Sequence, residues 1–141
     1  MQKIDKEAVY RILDANGNRT KEALRVCEDI ARFILNDRQS TLAYKDIRHR
    51  MAGIYKKIGI FTKDAIKARN ITEDVGRKTT TMELRRRQAK DIFFANSQRI
   101  KESVRVLEEF TKLLNKSSAV DLKKIRYRTY DLEQVILTKW K

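Results

Sequence analysis

The sequence predicts an all-α fold: a pseudo-twofold four-helix bundle made of two repeated helical hairpins with a long central connecting loop. Three observations predict it. The 141 residues include no Pro and four Gly, with 41% hydrophobic and 37% charged residues. That mix is too apolar for a disordered chain and too poor in turn residues for a β-sandwich. The segment Ile12 to Glu28 returns eighty positions later as Ile92 to Glu108, with nine of seventeen residues identical. The shared pattern is Ile-x-x-Ala-Asn-x-x-Arg-x-Lys-Glu-x-x-Arg-Val-x-Glu. Finally, Ile47-Arg48-His49-Arg50 matches Ile125-Arg126-Tyr127-Arg128 at an offset of seventy-eight, so each half is a helix, a short polar turn and a second helix.

The length bounds a single helical domain, 1–141, with repeat halves about 6–58 and 82–140 and a linker about 59–81. On a wheel of about 100° per residue, Ile12, Ala23, Val26, Ile30, Phe33 and Ile34 form the core stripe of the first helix. Asn16-Gly17 alone is a turn signal, but its counterpart Asn96-Ser97 sits inside a long periodic run, so Gly17 is expected within the helix at a cost of roughly 1 kcal/mol against Ala. The polar turns are Asn36 to Ser40 and Asn115 to Ser118, with Ser40 and Ser118 as expected helix starts. Short turns make antiparallel hairpins, and two hairpins make the bundle. The stretch from Gly59 to Thr81 has no copy. It ends in a capping-box pattern, Thr80 with Glu83, expected to open the third long helix. A loop of that length inside a compact domain is usually functional.

A net charge of +14 favours anionic partners: nucleotides, phosphorylated metabolites, nucleic acid or an acidic membrane. The single Cys27 rules out an internal disulfide, and as the counterpart of Leu107 it is expected to be a small core residue. The charged start and the longest apolar run of four residues, Ile92 to Ala95, fit neither a signal peptide nor a membrane span, which points to the cytoplasm. Neither Gly-x-x-x-x-Gly-Lys-Ser/Thr nor Gly-x-Gly-x-x-Gly occurs, so nucleotide chemistry would run on side chains and a helix N-terminus.

The repeat duplicates polar residues that a core does not need. Asn16 and Arg19 fall within the apolar stripe and Glu22 on its flank, and Asn96, Arg99 and Glu102 repeat this. A buried polar group without a partner costs about 1–3 kcal/mol, so these groups must be satisfied. Two accounts stand side by side: an internal network that fixes the bundle's register, and convergence of both copies on an anionic ligand. Arg25 and Arg105 point away from the stripe and Glu28 and Glu108 sit to its side, as solvated surface pairs would. Arg50 and Arg128 lean toward the apolar side and Arg48 and Arg126 lie on the flank. Their recurrence fits phosphate clamps, since a guanidinium matches phosphate oxygens bidentately, and equally fits ion pairs with the repeat's glutamates. Arg85-Arg86-Arg87 reads as a solvated face, and His49, replaced by Tyr127 in the copy, is not offered as a base.

The run Ala15 to Asp29, the helix Ile47 to Arg50, the loop residues Asp74-Val75-Gly76, the second run Ala95 to Glu109 and the helix at Arg126 to Arg128 together resemble a known family. It is the small thiamine-biosynthesis domain found alone or fused to thiamine-phosphate synthase, described as a hydroxymethylpyrimidine phosphate kinase. The likeness covers nearly the whole chain. It departs at Arg69-Asn70-Ile71-Thr72, where the pattern is Arg-Asp-Thr and a carboxylate is lost. The resemblance implies conversion of hydroxymethylpyrimidine phosphate to its diphosphate with ATP and Mg²⁺. The nucleophile would be a phosphate oxygen, already ionised at pH 7 because its second pKa is about 6, so no general base is required. In the implied site Arg19, Arg99, Arg69 and Asp74 are catalytic. Asn16, Asn96, Glu22, Glu102, Arg48, Arg126, Thr79 and Thr80 bind substrate, and Asp74 with Glu73 takes the metal. Thiamine-phosphate synthase is the implied partner, and adjacent Phe93 and Phe94 point to a homodimer. The alternatives are a non-catalytic helical module that dimerises or regulates a thiamine enzyme, and a basic nucleic-acid-binding bundle. The second is disfavoured by cations spread along the chain and only 8% aromatics.

Overall fold

The structure, a computed structural model, describes residues 5–61 and 88–140. Helix α1 (Lys6–Asp29) opens at Asp5, whose carboxylate accepts the Glu7 and Ala8 amides. It passes into a π-helical turn, Ile30–Ile34, in which the Leu35 amide donates to the Ile30 carbonyl at 3.0 Å. Helix α2 (Arg38–Ile58) is capped by Asp37 and ends at Gly59, which takes the left-handed conformation (φ 79°) open to glycine. Helix α3 (Ala89–Thr111) opens at Gln88, whose amide is accepted by Asp91 at 3.2 Å. Helix α4 (Lys116–Lys139) is capped by Asn115.

The fold class is as expected, an all-α four-helix bundle with no strand among the described residues. The packing cycle is α1 on α3, α3 on α4, α4 on α2 and α2 on α1. Going back from Glu28 to Gly17, the α2 partner advances from Arg48 to Tyr55. The same reversal holds for Glu108–Arg126 with Lys101–Glu133, Asp46–Arg128 with Asp37–Lys139, and Glu22–Arg99 with Thr20–Ser103, so neighbouring helices run antiparallel. The core is filled from all four: Leu13, Leu24 and Cys27, then Tyr44, Ile47 and Met51, then Phe93, Ile100 and Leu107, then Leu122 and Ile136. Each large apolar side chain so buried contributes about 1.5–3 kcal/mol.

Four details differ from the sequence reading. Ser40 and Ser118 do not begin their helices. They donate their amides to the side chains of Asp37 (3.2 Å) and Asn115 (3.1 Å), the true caps three residues earlier. Helix α3 opens at Gln88 with Asp91, not at Thr80 with Glu83, which lie outside the described residues. Phe33 (64% exposed) and Ile34 (52%) leave the core, because the π-helical turn inserts a residue and rotates them off the stripe that a constant 100° wheel projects. Phe93 is fully buried against Phe94 and Trp140, both at 5.6 Å, so of the two adjacent rings only the half-buried Phe94 reaches the surface.

Gly17 does lie within α1 and is buried. A Cβ there would come within 2.8 Å of Ile60 Cδ1 and 2.9 Å of Phe61 Cζ, so the absent side chain lets the end of α2 fold down onto α1. Tyr55 secures that approach by donating its hydroxyl to the Gly17 carbonyl at 3.1 Å.

Candidate functional site: a basic cavity on the first hairpin

The repeated polar residues first build a pair of ion triads. In the first hairpin Glu28 is buried on α1 and takes Arg25 from its own helix (3.3 Å) and Arg48 from α2 (3.2 Å). In the second, Glu108 is buried on α3 and takes Arg105 (3.8 Å) and Arg126 from α4. Glu108 pushes the Arg126 guanidinium above its ordinary value, so that charge is permanent. The first triad, one buried carboxylate with two guanidinium groups, carries a net positive charge, whereas in the second Glu109 also takes Arg105, at 3.0 Å, and balances it.

Beside the first triad, α1 and the end of α2 enclose an open cavity of about 460 Å³, within the range of small-molecule sites. Its polar wall is cationic: Lys21, Arg25, Arg48 and Lys56, with His49 beside them. Its apolar wall is Ala52, Tyr55, Ile60 and Phe61. Tyr55 and Phe61 meet edge to face at 4.8 Å, and Lys21 Nζ lies 4.5 Å from the Phe61 ring centre. Phe61 sits at φ 64°, a conformation a bulky side chain rarely takes, which aims its ring at this wall. Burial raises the Tyr55 hydroxyl above its usual value, so it remains a neutral donor. Fixed cations facing aromatic edges can hold a phosphorylated, flat organic molecule.

A family model now decides the chain's relationship: that of the ThiD2 family matches residues 11–135. The chain belongs to the ThiD2 family. Its ThiD2 sequence is 37% identical over 132 residues to thiamine-phosphate synthase of Nostoc punctiforme, covering 93% of this chain and 36% of that protein. It is 36% identical over 138 residues to thiamine-phosphate synthase of a Synechocystis species, covering 97% and 38%. For the protein of the same name from Rhodopirellula baltica the identity is 36% over 131 residues, covering 92% and 34%. The chain thus spans little more than a third of the length of these relatives. No solved structure matches it.

Among the residues expected to serve a ThiD2 site, only Arg48 lines the cavity. Asn16 and Asn96 are buried, and each amide donates to the carbonyl one turn earlier, at Ile12 (2.9 Å) and Ile92 (2.8 Å). Arg19 is exposed and donates to Asn16 Oδ1 at 3.1 Å. Arg99, 42% exposed, reaches Glu22 across the α1–α3 seam at 3.5 Å. Glu22 and Glu102 are exposed, Glu102 accepting from Gln98 on its own helix. The wheel put Arg19 inside the stripe, but its long stem carries the charged head outward from a buried-side Cα. Arg48 and Arg126 (22% and 11% exposed) are deeper than Arg50 and Arg128 (66% and 39%), the reverse of the wheel's order. Arg50 and Arg128 both donate to Asp46, an α2 residue that faces α4. Glu28 and Glu108, read as surface residues, are buried because each long helix packs on two neighbours and its second face turns toward the hairpin partner.

Arg69, Glu73, Asp74, Thr79 and Thr80 lie outside the described residues. Within the described residues no group of three or more His, Cys, Asp and Glu side chains is placed to hold a metal, and no helix is long and apolar enough to cross a membrane. Sequence reasoning missed Lys21, Tyr55, Lys56 and Phe61. Lys21 was visible as a duplicated position, whereas the other three stand where the two halves differ.

Proposed function

We propose that this ThiD2-family chain is a phosphotransferase of thiamine biosynthesis that converts hydroxymethylpyrimidine phosphate to its diphosphate with ATP. A phosphate oxygen of the pyrimidine phosphate attacks the γ-phosphorus of ATP, the bond to the β–γ bridging oxygen breaks, and ADP leaves. The observation that carries the reading is the first-hairpin cavity, with Lys21, Arg25, Arg48 and Lys56 facing Tyr55 and Phe61. Phosphoryl transfer asks the protein chiefly for positioning and positive charge, and this cavity supplies both without a base. Mg²⁺, when bound, would screen the nucleotide's phosphates, and Asp74 with Glu73 remains the proposed holder. The cytoplasm is the implied compartment.

Membership of a family whose relatives are named thiamine-phosphate synthase supports the pathway. Those proteins are nearly three times as long as the matched segment, which favours a second reading: a helical module that serves a thiamine-phosphate synthase without catalysis of its own. One assay separates them. The chain is incubated with ATP, Mg²⁺ and either the phosphorylated pyrimidine or its free alcohol, and ADP and diphosphate are measured. Turnover of the phosphate alone is expected, since the alcohol offers no anion to the cluster of Lys21, Arg25, Arg48 and Lys56. No turnover of either substrate leaves the module, and equal turnover of both removes the cationic clamp.

A further inference from the structure

The two hairpins share a frame but differ where the cavity forms. By the repeat, Lys21, Arg25 and Arg48 correspond to Lys101, Arg105 and Arg126, while Ala52, Tyr55 and Lys56 correspond to Tyr130, Glu133 and Gln134. Each difference acts in one direction. Where Lys21 is exposed and has no carboxylate partner among the described residues, Lys101 is bonded to Glu133 at 2.7 Å and its side chain is 13% exposed. Where Ala52 leaves the cavity open, the Tyr130 ring lies 5.0 Å from Lys101 Nζ and stacks beside Tyr127 at 5.9 Å. Tyr127 in turn covers Arg126 at 5.0 Å, and Arg126 is half as exposed as Arg48. Four cations meet one carboxylate in the first hairpin, whereas in the second three cations meet Glu108, Glu109 and Glu133.

A lysine already paired inside the protein has little left to offer an anion, because a ligand would have to displace Glu133 and leave a half-buried carboxylate without its partner. We infer that, of the two repeat-related positions, only the first is a phosphate-ester site: the first-hairpin cavity takes the phosphate ester of a small flat heterocycle, and its twin is neutralised by Glu133 and covered by Tyr130. Lys21 is the residue on which the difference turns. The inference rests on the phosphate chemistry proposed above, and it adds which of the two copies serves as the site and why the other does not.

The test is isothermal titration of the full chain with hydroxymethylpyrimidine phosphate and, separately, with ATP, using inorganic phosphate as the ring-free probe. The ligand that occupies the cavity is expected to bind at about one per chain and more tightly than inorganic phosphate. Lys21→Ala and Arg25→Ala should weaken it by roughly tenfold or more, the worth of one charge-assisted contact, whereas Arg105→Ala stays within about twofold of the wild type. Lys21→Ala removes an exposed side chain, so folding is not at stake, and thermal melting verifies each variant. Two bound molecules per chain, or equal losses in Arg25→Ala and Arg105→Ala, would overturn the single-site inference. Binding at one per chain without any diphosphate formed would sink the kinase reading and keep the site. Diphosphate formed by Lys21→Ala and Arg25→Ala at wild-type KM for both substrates would sink the site and keep the kinase.

Discussion

Glu28 on α1 and Arg48 on α2 form a buried ion pair at 3.2 Å, and the same pair recurs in the second hairpin as Glu108 with Arg126. These contacts tie each hairpin's two helices together, and in the first hairpin Arg48 continues into the cavity wall. The duplicated arginine is thus held by the protein and presented to the cavity.

Removing the carboxylate's charge leaves the paired guanidinium without its counter-charge in a place water reaches poorly. Glu108→Gln is expected to destabilise the chain by roughly 3 kcal/mol, the lower end of what breaking a buried pair costs. Glu28→Gln should lose less, because Arg48 is twice as exposed as Arg126. Urea unfolding of the two variants checks the order, and a larger loss for Glu28→Gln would contradict it.

Asp46 carries the acid-sensitive contact. Arg128 and Arg50 hold its carboxyl below the usual carboxylate range. A depressed folded value means the contact stabilises fully above the unfolded value, near pH 3.9, and is lost as pH falls through the lower folded value. The melting temperature of Asp46→Asn should therefore lie below that of the wild type at neutral pH, and the two curves should converge in stronger acid. A gap independent of pH would mean that the aspartate acts through packing.

Gly17→Ala separates stability from site shape. Alanine brings a helix-propensity gain of about 1 kcal/mol, against displacement of two side-chain tips, Ile60 Cδ1 at 2.8 Å and Phe61 Cζ at 2.9 Å. The expected result is a melting temperature close to the wild type with ligand affinity lowered several-fold, because those tips form the cavity wall. Unchanged affinity would show that this wall does not touch the ligand.

Cys27 should be chemically silent. Burial pushes its thiol up to about 12, so little thiolate exists at pH 8. Alkylation of the native protein with iodoacetamide is expected to be very slow and to become complete in denaturant.

Much of the fold was legible because duplication is a second witness to every helix. Ser97 vouched for Gly17 as a helical residue, and Leu107 vouched for Cys27 as a core residue. What the wheel could not carry was anything that breaks a constant pitch or a single buried stripe. The π-helical turn turned Phe33 and Ile34 outward, and the packing of α1 on both α2 and α3 buried Glu28. For the site, duplication helped with Arg48 and then misled. Asn16 and Asn96 recur because each amide closes its own helix turn, a local role. Tyr55, Lys56 and Phe61 were invisible to a search for sameness, since the cavity arises where the halves diverge.

The central claim is that a phosphorylated ligand enters the first-hairpin cavity, and amide chemical-shift mapping addresses it most directly. Titrating hydroxymethylpyrimidine phosphate and ATP into nitrogen-15-labelled chain should move the amides of Lys21, Arg25, His49, Lys56 and Phe61 and leave Lys101, Arg105 and Tyr127 in place. Shifts confined to the α1–α3 seam around Asn16, Arg19, Asn96 and Arg99, or spread equally over both hairpins, would contradict it.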